Sequence, residues 1–157
     1  MNRRRVECVG GIVLDESARL LLVLRANEPA KGCWSVPGGR KEAGESDAVA
    51  TAREVHEETG LRVVVGALAG AVQRDGPHGS VYLIRDYHCA LAHGVDPTDV
   101  RAGDDAADAG WFTPQQVRNL GCSPGLVETL DRWGLLSPPD SVPGSAVRGS
   151  VSGSSAG

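Results

Sequence analysis

The sequence predicts an α/β domain in which a mixed β-sheet lies between helices. Residues 6–14 and 19–24 are β-branched or almost continuously apolar, which is typical of buried strands. Residues 46–59 contain neither proline nor glycine and are rich in alanine, which favours a helix of about three to four turns. Two more helices are expected near the end of the chain, so helices are available to cover a sheet.

More strands are expected after the central helix. Residues 61–65 and 67–73 predict one long strand or two short ones, because glycines at 66 and 70 interrupt them. Residues 75–79 predict a hairpin-type turn, which leads into a strand over residues 80–91. These segments supply the second half of the sheet.

The strand over residues 80–91 carries polar and apolar side chains on both faces. Such a strand has two partly occupied faces, so it is expected to line a pocket, and Tyr87 is a candidate substrate-binding residue. Asp86 and His88 share one face. A structural polar contact is favoured over a catalytic pair, because strand histidines usually bond to backbone or water.

The C-terminal part predicts a short strand at Trp111 and Phe112, followed by two helices. The first helix begins with Thr-Pro and covers residues 113–120, and the second begins with Ser-Pro and covers residues 123–136. Residues 1–136 are therefore expected to form one domain. Residues 137–157 are rich in Ser, Gly and Pro, and this composition predicts a disordered tail.

The bulk composition limits the classes of partner. A chain of 157 residues is long enough for one well-packed domain, and 41% of its residues are hydrophobic. The net charge of −4 gives no support for binding to nucleic acid or to a membrane surface. A small phosphorylated ligand is compatible with this charge if a metal ion supplies the local positive charge. The four cysteines are expected to be reduced thiols of a cytoplasmic protein.

The predicted central helix carries an acidic face. Glu54, Glu57 and Glu58 follow i, i+3 and i+4 spacing, so they lie within one arc of the helix. The opposite side is expected to pack on a sheet through Ala48, Ala52, Val55 and Thr59. Three neighbouring carboxylates repel one another, and a hard divalent cation would neutralise them. A solvated acidic face is the simpler alternative for an isolated glutamate pair.

The flanks of this helix also suit a metal site for phosphate chemistry. Gly38 and Gly39 follow a proline in a turn where backbone can approach a ligand closely. Gly60 stands where a helix commonly ends in a left-handed conformation. Arg53 could orient one of the glutamates or contact a phosphate through its planar guanidinium group.

Residues 39–61 resemble the Nudix box. That motif is a Gly, five residues, a Glu, seven residues, Arg-Glu, an apolar residue, any residue, Glu-Glu, any residue, a Gly and an apolar residue. The chain matches it without departure at Gly39, Glu45, Arg53, Glu54, Val55, Glu57, Glu58, Gly60 and Leu61. The resemblance implies the Nudix α/β/α sandwich and hydrolysis of a nucleoside diphosphate linked to another moiety.

The resemblance also implies the metal site. It assigns Mg²⁺, with Mn²⁺ as a substitute, to Glu54, Glu57, Glu58 and the carbonyl group of Gly38. Glu54 would act as a ligand or as the general base, and Arg53 would orient a glutamate. Arg25 resembles an arginine that similar proteins place near the phosphates. Trp34 resembles the tryptophan before the Pro-Gly-Gly turn, where packing under the loop is favoured over stacking on a base.

The polar segment over residues 93–109, which follows the 80–91 strand, gives an indication of the substrate class. Residues 102–106, which include Asp104 and Asp105, resemble the loop before the last strand in Nudix proteins of the ADP-ribose pyrophosphatase type. An acidic residue of this loop can act there as a base or a partner of the metal site. We therefore expect ADP-ribose or a related nucleoside diphosphate sugar as substrate, with Asp104 and Asp105 as candidate substrate-binding residues.

Two other functions stay open at this point. A (d)NTP pyrophosphohydrolase that removes oxidised nucleotides would need a base-reading Asn or Asp, and asparagine is scarce in this chain. A non-catalytic Nudix module that senses a nucleotide is disfavoured by the complete set of glutamates. Pairing into a homodimer is an expectation from relatives alone.

Overall fold

The computed structural model describes residues 2–137. The predicted tail over residues 137–157 lies outside them, apart from Ser137. The strands are β1 Arg5–Val13, β2 Leu20–Arg25, β3 Trp34–Ser35, β4 Gly38–Arg40, β5 Val63–Asp75, β6 Val81–Leu91 and β7 Ala106–Phe112. The helices are α1 Asp47–Thr59, α2 Pro114–Asn119 and α3 Leu126–Arg132, with single 3₁₀ turns at Pro77–Gly79 and Pro97–Asp99.

The strands form two sheets. One has four strands in the order β4-β1-β6-β5, in which β1 and β6 are parallel and the other pairs are antiparallel. The second has three antiparallel strands in the order β3-β2-β7. The predicted mixed sheet is thus confirmed for the first group of strands, and the second group forms a separate sheet.

Helices cover the strands on two sides, as the sequence predicts. On one side, Ile12, Leu20 and Leu22 pack in a cluster with residues of α2 and α3. On the other side, Val13 and Leu21 pack with Val55 of α1. Successive side chains of a strand point to opposite faces, so the continuous apolar run of β2 supplies both cores.

The boundaries of α1 follow from local chemistry. The Ser46 hydroxyl caps the first turn by accepting from the backbone N–H of Val49 at 3.2 Å. Gly60 ends the helix in the left-handed conformation with φ 74°, where glycine carries no steric cost. The face toward the strands consists of Ala50, Thr51, Val55 and Thr59. The prediction that Ala48 packs on a sheet is wrong, because Ala48 is exposed.

Two C-terminal elements differ from the sequence prediction. The last strand begins at Ala106, five residues before Trp111, because antiparallel pairing with the central strand β2 overrides the weak strand propensity of Ala106–Gly110. The second helix begins at Leu126 after Gly125, which adopts a φ of 81°. Ser123 does not cap it, because its backbone N–H and hydroxyl both donate to the carbonyl oxygen of Trp34.

The cap of the first C-terminal helix agrees with expectation. Thr113 caps α2 with a complete capping box to Gln116. Cys8, Cys33, Cys89 and Cys122 are free thiols. Within residues 2–137, no helix combines the length and apolar character that a membrane crossing requires.

Candidate active site

Glutamate side chains of α1 lie against the backbone of the glycine turn that precedes the helix. The backbone N–H of Gly38 donates to Glu58 Oε2 at 3.2 Å. A Cβ atom on Gly39 would lie 2.6 Å from Glu54 Oε1, so glycine makes room for that carboxylate. Strand β4 holds both glycines because it pairs with β1. Together, Gly38, Gly39, Glu54 and Glu58 line a cavity.

Arg53 joins the acidic residues of the motif. Its guanidinium donates to both carboxylate oxygens of Glu45 at 2.7 Å, to Glu54 at 3.0 Å and to Glu57 at 3.2 Å. It also donates to the carbonyl oxygen of Arg40. The hydrogen bonds from Arg53 lower the pKa of Glu45 to about 2. Arg53 is therefore a positioning residue that holds the glutamates in place. Its guanidinium N–H groups are already bonded to these acceptors, which leaves them unavailable to a phosphate.

Burial sets the electrostatics of the cavity. Desolvation raises the pKa of Glu58 to about 8, and the neighbouring charge of Glu54 adds to the effect. Desolvation also raises the pKa of Glu54, although the hydrogen bond and charge of Arg53 oppose the shift. Two buried carboxylates side by side raise the free energy of the folded state when both are ionised. A bound divalent cation would remove that cost.

The structure does not gather the three predicted glutamate ligands around one point. Glu54 and Glu58 face the cavity, whereas the Glu57 side chain is 50% exposed beside Arg53. Among residues 2–137, no three His, Cys, Asp or Glu side chains converge into a ready-made metal cage. The donor set still fits Mg²⁺, which is commonly held by one or two carboxylates together with phosphate oxygens of the substrate.

The cavity has a volume of about 780 Å³ and reaches well beyond the glutamates. Arg25 and Asp105 line it. Both lie close enough to shift the pKa of Glu58, Arg25 downward and Asp105 upward. The volume suits a nucleotide-sized ligand.

Asp105 reaches the cavity because its loop docks on the end of α1. The backbone N–H groups of Arg101 and Gly103 donate to the carbonyl oxygens of Thr59 and Glu58, each at 3.0 Å. These bonds satisfy carbonyl groups that a helix end leaves free. A Cβ atom on Gly103 would lie 1.7 Å from the carbonyl oxygen of Glu57, so only glycine permits this contact. Asp104, also predicted as a binding residue, does not line the cavity.

Two other predicted binding residues lie elsewhere. The Tyr87 hydroxyl donates to Asp47 at 2.5 Å, where Arg85 and Lys41 also bind. Tyr87 is not part of the cavity lining, and β6 contributes other residues to it. Trp34 packs edge-on against Phe112 with ring centroids 4.8 Å apart, as the packing alternative expects.

Asp86 lines the cavity, which its position in the sequence did not indicate. Its carboxylate is buried and lines the cavity, while His88 on the same strand face is exposed. Arg74 of β5 lines the same space. Alternating polarity pointed to β6 as a pocket strand, but it did not indicate which residues face the pocket.

Comparison with known proteins is in accord with this site. The sequence model of the NUDIX domain matches residues 4–132. A MutT-like protein of Streptomyces ambofaciens is 38% identical over 123 residues, covering 78% of this chain and 73% of the relative. An ADP-ribose pyrophosphatase of Methanocaldococcus jannaschii is 38% identical over 125 residues, covering 77% and 70%. A putative 8-oxo-dGTP diphosphatase of Bacillus subtilis is 46% identical over 106 residues, covering 68% and 65%.

The fold also resembles a solved structure. A MutT protein from Methanosarcina mazei Go1 superposes with a TM-score of 0.72 over 85% of this chain and 96% of its own, at 22% identity. The match to the NUDIX domain, together with relatives named as pyrophosphatases, makes the chain a pyrophosphohydrolase. The chain belongs to the Nudix hydrolase family. Nudix hydrolases generally use divalent metal ions and act on small nucleotide substrates.

Proposed function

We propose that the chain is a Mg²⁺-dependent pyrophosphohydrolase that cleaves the diphosphate of ADP-ribose or a related nucleoside diphosphate sugar. One observation carries this proposal. Asp105, from the loop before the last strand, faces the same cavity as Glu54 and Glu58. A carboxylate in that position adds a proton acceptor close to the metal-binding glutamates.

Glu54, Glu58 and the backbone of Gly38 would hold the metal, and Glu57, which lies beside Arg53 outside the cavity, would have to turn toward it to join them. When bound, Mg²⁺ neutralises charge on the diphosphate and lowers the pKa of a coordinated water. Mn²⁺ offers the same oxygen-ligand chemistry and would substitute.

The chain's own residues account for the remaining steps. Arg25 lines the cavity near Glu58 and supplies a positive charge for a phosphate. Glu54 or Asp105 takes a proton from the attacking water. The water oxygen bonds to phosphorus, and the bridging oxygen leaves with the second phosphate. The products from ADP-ribose are AMP and ribose phosphate.

A second candidate is hydrolysis of (d)NTPs of the oxidised type. It is supported by the buried Asp86 in the cavity, because such a pocket needs a base-reading Asn or Asp. A non-catalytic nucleotide sensor is the third alternative. Nucleotide binding without metal-dependent turnover would favour it.

We also propose a cytoplasmic enzyme that acts on small nucleotides, with neither nucleic acid nor a membrane as partner. A homodimer is supported by Val64 and Leu68, which are exposed on β5 at the edge of the four-stranded sheet. Light scattering in solution tests it, and a monomer at all concentrations refutes it.

Product analysis over a small panel tests the catalytic proposal. The panel contains ADP-ribose, NADH, diadenosine polyphosphates, dGTP and 8-oxo-dGTP, each with and without Mg²⁺. AMP plus ribose phosphate from ADP-ribose supports the first candidate. Pyrophosphate plus a nucleoside monophosphate from a triphosphate refutes it in favour of the second.

A further inference from the structure

Two arginine side chains lie next to Tyr82, in a part of the cavity that has no role in the proposed reaction. The Arg40 guanidinium donates to the Tyr82 hydroxyl at 2.7 Å, and its central carbon lies 5.5 Å from the centre of the ring. Arg74 of β5 is the direct cross-strand partner of Tyr82 in β6, and such partners project from the same face of a sheet. All three residues line the cavity. Two guanidinium groups are therefore held beside one buried tyrosine.

Neither arginine is neutralised by a carboxylate of the described chain. Within residues 2–137, no Asp or Glu oxygen lies within ion-pair distance of Arg40 or Arg74. Asp75, which also lines the cavity, bonds to Arg3 at 2.8 Å instead. Asp86 is close enough for the charge of Arg74 to lower its pKa, but it forms no ion pair with that arginine. Two like charges in one space repel each other, and a bound anion would neutralise both.

The backbone before α3 positions the Arg74 guanidinium. A Cβ atom on Gly125 would lie 2.6 Å from each of its two terminal nitrogens, so only glycine permits this approach. The group is thus held by contact with backbone rather than by a carboxylate. Its N–H groups form a rigid fork of five donors that suits an anionic oxygen ligand.

The arginines lie apart from the metal-binding glutamates. Gly38, which bonds to Glu58, pairs with Gly10 of β1, whereas Tyr82 pairs with Val6 of the same strand. These two positions on β1 are four residues apart, which corresponds to about 13 Å along the strand. A substrate whose diphosphate lies at the glutamates would therefore reach the arginines with a different group.

We propose that Arg40 and Arg74 bind a phosphate monoester that the substrate carries on its nucleoside ribose, in addition to the diphosphate that is cleaved. Guanidinium groups match phosphate in both charge and geometry. Because the Tyr82 hydroxyl accepts from Arg40, its own proton is free to donate to the same phosphate. The 2′ and 3′ hydroxyl groups of the ribose are the positions nearest the diphosphate at which such a monoester can be attached.

The inference rests on the proposed function and narrows its substrate class. The substrates are nucleoside diphosphate sugars in which the ribose of the nucleoside is itself phosphorylated, such as ADP-ribose 2′-phosphate.

Calorimetric titration of the full chain with AMP, adenosine 2′,5′-bisphosphate and adenosine 3′,5′-bisphosphate, each with Mg²⁺, tests the inference without requiring turnover. One of the two bisphosphates should bind the parent protein at least about 10-fold more tightly than AMP, because hydrogen bonds from guanidinium to phosphate are charge-assisted. The preferred bisphosphate identifies the ribose hydroxyl that carries the monoester. Arg74→Gln should reduce the preference to within about twofold. Arg62→Gln removes an equal charge at an exposed position of the chain and should leave the preference unchanged.

Three results would overturn the inference. Equal affinity of the parent protein for AMP and both bisphosphates would do so whether or not any variant folds. A preference that persists in Arg74→Gln, or no measurable binding of any of the three nucleotides, would do so too. Failure of the proposed function is distinct, because the protein would then prefer a bisphosphate and yet cleave no nucleoside diphosphate sugar, with or without the ribose phosphate.

Discussion

The free energy of unfolding of Asp86→Asn, relative to that of the parent, should increase as pH rises. Asp86 is buried with an unpaired oxygen, so its ionised form is unfavourable in the folded state. Its pKa rises from an ordinary value of 3.8 to about 6 on folding. Stability contributed by the protonated group is fully present below pH 3.8 and is lost as pH rises through 6.

The size of the effect follows from this shift. A difference of about two pKa units corresponds to about 3 kcal/mol, which is reached above the folded-state pKa. At pH 5 about half of that penalty is present. The free energy of unfolding of Asp86→Asn relative to the parent should therefore increase by about 1.5 kcal/mol between pH 5 and pH 8. The asparagine side chain adds an offset that does not depend on pH.

Urea unfolding at pH 5 and pH 8 measures this difference. Asp99→Asn is the matched control, because Asp99 is exposed and its replacement should leave the pH dependence of stability near that of the parent. A difference between Asp86→Asn and the parent that stays constant from pH 5 to pH 8 would show that Asp86 is not a buried carboxylate with a raised pKa. A difference that falls with pH would refute the reasoning outright.

Further substitutions test the candidate site. Glu58→Gln should reduce Mg²⁺-saturated turnover more than Glu57→Gln, because Glu58 lines the cavity whereas Glu57 is 50% exposed beside Arg53. A loss below about threefold in Glu58→Gln, under ~1 kcal/mol, would contradict its assignment as a ligand. Arg53→Lys cannot make the paired bonds to Glu45, so turnover should fall about 10-fold or more. The free energy of unfolding in urea should change by less than ~1 kcal/mol. Unchanged turnover would mean that the guanidinium does not position the glutamates. Gly103→Ala would collide with the Glu57 carbonyl oxygen and should displace the loop that carries Asp105. The expected results are lower turnover and faster amide exchange in that loop. Parent-like values of both would show that Gly103 is not needed to hold the loop against α1.

Much of the fold was predictable because its signals are local. The helix over residues 46–59 and the glycine at its end follow from neighbouring residues, and α1 agrees within one residue. The last strand was predicted too short because Ala106–Gly110 owe their strand conformation to β2, far away in the sequence.

The site was predictable only in its local part. The spacing of Glu54 and Glu58 on one helix placed both in the cavity. The exclusion of Tyr87 and the inclusion of Asp86 depend on which face of β6 meets the cavity, and that is set by pairing with β1 and β5. A mixed pattern on both faces of a strand carries no signal for this choice.

Glu54 and Glu58 are proposed here to bind the divalent metal ion that catalysis requires. Electron paramagnetic resonance of Mn²⁺, titrated into the protein with ADP present, measures this binding directly. We expect saturable binding by the parent and at least 10-fold weaker binding by Glu58→Gln, a difference of about 1.4 kcal/mol. Equal Mn²⁺ affinity in both proteins, or no binding by the folded parent, would contradict it.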